Sequence, residues 1–125
     1  MIKLLLISPL FLTALIPGTE IYIENPPHTR SHSFLMAEVT AYTSSENETD
    51  STPYLTAAQT ATRDGVIACP RYIPFFTVVE IESKKYSCED RMALKHPDRW
   101  DIWMASYEDA IEFGIKKLIV KIYEN

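Results

Sequence analysis

Six short runs rich in β-formers, each closed by a turn or a proline, fill the chain beyond residue 33 and constrain its fold most. Residues 34–43 (FLMAEVTAYT) open the series, followed by a polar stretch over 44–53 that reads as a loop. Residues 66–69 (VIAC) stop at Pro70. Residues 77–81 and 86–89 flank a tight Glu82-Ser83-Lys84 turn, the pattern of a β-hairpin. Residues 99–104 (RWDIWM) and 117–123 (KLIVKIY) complete the set. Between those two, residues 106–113 read as a helix: Ser106 is the N-cap, Asp109 stands three positions on as in a capping box, and Gly114 supplies the stop. Strands this short, with one helix, in about 92 residues predict a mainly β fold, a small barrel with a helical crossover.

The chain upstream has a different character. Met-Ile-Lys precedes an apolar run over residues 4–16, which Pro17-Gly18 ends. Thirteen residues fall short of the roughly 20 that span a bilayer as a helix. Residues 1–18 therefore read as a signal peptide or N-terminal membrane anchor, although no A-x-A cleavage site stands there. Both readings place the domain outside the cytoplasm, and the anchor implies membrane association. Residues 19–33, with Pro26-Pro27, His28 and His32, read as a linker. Residues 34–125 form the domain, and Asn47-Glu48-Thr49 within it has the glycosylation form.

Composition excludes several function classes. With 125 residues the chain holds one domain. A net charge of −5 with no basic run argues against nucleic acid as a partner. Only three glycines are present, too few and too scattered for a GxxxxGK or GxGxxG phosphate loop. No cofactor is called for, no spacing suggests a metal site, and nothing speaks to the oligomeric state.

Strand alternation sorts the chemically useful side chains by face. Asp101 shares a face with Arg99 and Trp103, while Trp100, Ile102 and Met104 point the other way. The same rule puts Tyr86, Cys88 and Asp90 together. An aspartate between two tryptophans, if buried against their rings, has its pKa raised by desolvation. A carboxylic acid kept protonated near neutral pH is what sugar cleavage needs as general acid. The plainer alternative is an aspartate that accepts from turn amides. Cys69 and Cys88 are the only cysteines; in an oxidising compartment they pair, otherwise they are buried thiols, and His96 is the only domain histidine that could activate one as a nucleophile.

The segments Thr40-Ala41-Tyr42-Thr43, Thr56-Ala57, Gly65-Val66-Ile67-Ala68-Cys69-Pro70, Ile73-Pro74-Phe75-Phe76-Thr77, Tyr86-Ser87-Cys88-Glu89-Asp90, Trp100-Asp101-Ile102-Trp103 and Ala110-Ile111-Glu112-Phe113-Gly114 follow in that order. Their order and spacing, over about residues 39–123, resemble the three-aspartate (3D) domain family. That family shares its fold with the C-terminal part of membrane-bound lytic transglycosylase A and with rare lipoprotein A. The resemblance implies a six-stranded double-psi β-barrel and a role in peptidoglycan turnover. Asp101 matches the family's third aspartate, the general acid in the transglycosylase relative, and Asp90 matches the second. Cys69 stands at the first, and Arg91-Met92 replace a Gly-Gly pair. Because the three positions converge in the family, the resemblance implies that Cys69 lies near Cys88 and that the two form a disulfide.

The resemblance thus implies cleavage of the β-1,4 glycosidic bond of peptidoglycan glycan strands, with Asp101 as acid and base and Asp90 supporting it. Trp103 either stacks on a sugar or fills the core; Arg91 either neutralises Asp90 or contacts the glycan; Tyr42 is a further substrate-binding candidate. Loss of one of three acids motivates an alternative, a non-catalytic wall-binding or structural module; a third class is a secreted partner-binding protein that uses the barrel only as scaffold.

Overall fold

The computed structural model describes residues 18, 23–25, 29–45 and 53–124. The signal or anchor reading of residues 1–18, apart from Gly18, and the glycosylation sequence at Asn47 lie outside them. The described elements are β1 (His32–Tyr42), β2 (Val66–Cys69), β3 (Val78–Ile81), β4 (Lys84–Arg91), β5 (Trp100–Trp103), α1 (Tyr107–Phe113) and β6 (Lys116–Tyr123). The strands close into a six-stranded barrel in the order β1-β5-β2-β4-β3-β6. The β1–β5 and β2–β4 pairs are parallel and the others antiparallel. Closure leaves no sheet edge unpaired, which lets strands as short as β2 persist.

Most strand boundaries shift by one or two residues from the sequence expectation, and two of the shifts have a clear cause. His32 and Ser33 belong to β1 rather than to the linker, because Tyr123 and Ile122 of β6 extend far enough to pair with them. Strand β4 begins at Lys84, because the turn needs only Glu82 and Ser83, both at positive φ (50° and 65°). Two consecutive residues at positive φ make a turn whose twist matches that of the flanking strands. The helix forms as its caps dictate: the Ser106 side chain accepts from the Asp109 amide at 3.3 Å, and Gly114 adopts φ 65°.

The main core gathers Val39, Ile67, Val79, Ile81, Trp100, Ile102 and Val120. Trp100 is fully buried, as alternation along β5 requires. Cys69 and Cys88 join in a disulfide within this core, their Cα atoms 5.8 Å apart. A second, smaller cluster on the other face holds Tyr42, Ala68 and Met92, with Trp103 packed against it.

Alternation fails in β4. Ile67 pairs with Cys88, but the next β2 residue, Ala68, pairs with Asp90. Glu89 is thus the extra residue of a β-bulge, and it reverses the facing of everything after it. Tyr86 and Cys88 share the core face as expected, whereas Asp90 turns to the opposite face.

Candidate active site

The bulge places Asp90 in line with the other predicted acid. Thr40 on β1 pairs with Asp101 on β5, Asp101 with Ala68 on β2, and Ala68 with Asp90 on β4. Residues paired across neighbouring strands project to one face. Thr40, Asp101, Ala68 and Asp90 therefore form a row along the floor of a cleft of about 660 Å³. Two strand spacings separate the aspartate backbones, roughly 10 Å.

Asp90 is held on both oxygens. Its Oδ2 accepts from the Tyr42 hydroxyl at 2.8 Å, and its Oδ1 accepts from the amides of Ala57 (3.0 Å) and Arg91 (2.9 Å). Tyr42 is buried. Burial above all, then the charge and hydrogen bond of Asp90, push its phenol far above the ordinary tyrosine pKa, with Asp101 and Glu89 adding to the effect. The phenol is a permanent donor. Asp101 Oδ1 accepts from Thr40 Oγ1 at 3.0 Å, and the residue is half-buried in the cleft.

The loop that presents the Ala57 amide is built on the same bulge. Thr56 is buried and shares a 2.7 Å hydrogen bond with Thr60 Oγ1, tightening the turn. The Ala58 amide donates to the Glu89 carbonyl at 2.9 Å. The Glu89 side chain, 2% exposed, receives both Arg63 nitrogens at 2.9 and 2.7 Å. Burial drives the Glu89 carboxyl up, but hydrogen bonds from Arg63, Thr60 and Ser87 outweigh it and hold the group below the usual range.

The other residues that the sequence nominates fall in different places. Arg91 lines the cleft, but its Nη1 donates to the carbonyls of Pro70 (3.0 Å) and Ile73 (2.6 Å). Its guanidinium lies 3.9 Å from the Phe75 ring centroid. No described salt bridge joins it to Asp90, so it does not neutralise that acid through a direct ion pair. Trp103 packs against Tyr42, Ala68 and Met92 and donates to Ser44 Oγ at 2.9 Å; it does not line the cleft. Cys69 and Cys88 lie on the opposite, core face. Sequence reasoning missed Thr40 and the Ala57 amide as partners of the acids, although both lie in the quoted segments. It also missed Arg71, Lys95 and Arg99, which line the cleft.

The arrangement offers one immobilised carboxylate and one half-exposed carboxyl on the floor of a cleft within the size range of small-molecule sites. No family model matches the chain, and no curated protein matches it in sequence.

Proposed function

We propose that the chain is a peptidoglycan-remodelling enzyme of the lytic transglycosylase type, built on a double-psi variant of the closed barrel and acting outside the cytoplasm. The observation that carries this is the row Asp101–Ala68–Asp90 on one cleft floor. The resemblance to the three-aspartate family assigns the chemistry, and the buried disulfide fits an oxidising compartment.

The local partners divide the labour. Asp90, with three donors on its oxygens, serves as a fixed negative charge. Asp101 donates its proton to the glycosidic oxygen as the C1–O bond breaks. The C6 hydroxyl of the same sugar then attacks the anomeric carbon, and its proton returns to Asp101, giving a 1,6-anhydro product. Thr40 orients Asp101 through its hydroxyl.

The test is digestion of purified peptidoglycan by the chain, read by mass spectrometry. Anhydromuropeptides should appear and should vanish with Asp101→Asn. Turnover that survives this substitution refutes the assignment. A second reading, a glycan-binding module without turnover, is favoured by one observation: the cleft position between the two acids is Ala68, so no third carboxylate stands in the row. It predicts glycan binding, no product, and no effect of Asp101→Asn on retention.

A further inference from the structure

The cleft is cationic in an acidic chain. Net charge is −5, yet apart from Asp90 and Asp101 every formally charged residue lining the cleft is basic: Arg71, Arg91, Lys95 and Arg99. The described salt bridges are Arg63–Glu89, Lys84–Asp64 and Arg99–Glu38, and none involves Arg71, Arg91 or Lys95.

Arg71, Arg91 and Lys95 thus stand in no described salt bridge, and Arg99 has a long one, to Glu38. Burial first, and then the neighbouring charge of Arg71, hold the Arg91 guanidinium below its ordinary pKa. Two like charges therefore stand close together at the cleft wall. The Arg99 Nε is buried and donates to no described group, while its Nη2 reaches Glu38 only at 3.5 Å. The exposed Arg71 guanidinium, beside Arg91 and in no described salt bridge, is a setting that an anion completes, since a carboxylate can take two parallel N–H bonds from one guanidinium. Lys95, His96 and Arg99 also line an adjoining hollow of about 610 Å³, whose other charged residues are Lys117, Glu38 and Asp98. Lys95, His96 and Arg99 are thus common to the linings of the two hollows.

We infer that Arg71, Lys95 and Arg99 form an anion subsite that binds a carboxylate carried by the sugar polymer in the cleft. The inference rests on reading the cleft as a glycan site and names the charge that site selects. Lys95 and Arg71 are exposed and supply attraction that salt screens, with Arg71 also offering a two-pronged donor; Arg99, half-buried and paired with Glu38, adds charge behind them.

The test is calorimetric titration of the full chain with a peptide-free muramyl tetrasaccharide, once with free lactyl carboxylates and once as the methyl ester. The acid form should bind at least ten-fold more tightly at low ionic strength. The gap should shrink as salt is raised. Arg71→Gln combined with Lys95→Gln should close most of it, with the thermal midpoint unchanged because both side chains are exposed. Equal affinity for acid and ester overturns the inference, as does a gap that persists in the double variant. Absence of binding by both forms overturns it together with the glycan reading of the cleft. A preserved gap without any cleavage of peptidoglycan refutes only the catalytic assignment.

Discussion

The hydroxyl of Tyr42 on β1 donates to Asp90 on β4 at 2.8 Å, although β5 and β2 stand between their strands. The span is possible because the residue between, Ala68, is small and packs with Tyr42 in the second cluster. A phenol, the one side chain long and stiff enough to lie across two strands here, thus ties the supporting acid to the strand that carries Thr40.

Tyr42→Phe removes a buried hydrogen bond to a charged group and should cost about 2 kcal/mol in urea unfolding near neutral pH. Under the proposed function it should also reduce peptidoglycan cleavage, by loosening Asp90. The pH dependence has a definite sign. The folded-state pKa of Tyr42 is raised, so its contribution is intact below the ordinary tyrosine value near 10. Above that pH the unfolded chain releases the proton and the folded one does not. The wild-type advantage over Tyr42→Phe should therefore shrink by up to about 1.4 kcal/mol per pH unit beyond pH 10. An advantage that stays constant to pH 11 contradicts this.

Arg63→Gln leaves Glu89 buried at the bulge without its cation. Arg63 is itself 54% exposed, so the cost is discounted to about 1–3 kcal/mol at pH 7. The Glu89 carboxyl is depressed in the folded state, so the stabilisation is present above the ordinary carboxylate range and is lost as pH falls through the lower folded value. Thermal melts at pH 7 and pH 3 should show the gap between wild type and variant narrowing at the acid end.

Replacing Cys69 and Cys88 together by Ala opens a cross-link of sequence separation 19 and should cost about 3 kcal/mol. The substituted side chains lie on the core face, opposite the acid side chains, although Cys69 Sγ stands 3.6 Å from the Asp90 carbonyl oxygen. Binding of glycan by the folded double variant should be retained, which separates the stabilising role of the disulfide from the site.

At the β3–β4 turn, Glu82 and Ser83 occupy positive φ with side chains that disfavour it. Glu82→Asn with Ser83→Gly installs the pair preferred for this turn and should raise stability by about 1 kcal/mol, measured by denaturant midpoint, with activity unaltered.

Much of the fold was legible without coordinates. The strands at 66–69 and 117–123, the hairpin, and the caps of α1 follow from alternation, turn chemistry and local hydrogen bonding, all of which act over a few residues. So does the facing of β5, where Trp100 and Ile102 go inward and Asp101 and Trp103 outward. The cysteine count left the pairing of Cys69 and Cys88 open beside free thiols, the family resemblance implied it, and the structure bears it out.

The site was only partly legible, because its geometry depends on long-range register. Alternation alone put Asp90 beside Cys88, and nothing local marks Glu89 as an extra residue. The bulge forms because Arg63 and the loop at Thr56–Thr60 satisfy Glu89 from outside the strand, and this turns Asp90 into line with Asp101. In the same way Arg91 follows Asp90 in sequence, yet it spends its Nη1 on the carbonyls of Pro70 and Ile73, groups exposed to it only once β2 and β4 pair. Local preferences written in neighbouring residues set where most strands and turns lie. Only the closed barrel decided which side chains meet, because that depends on how distant strands align and on where one additional residue interrupts the pleat.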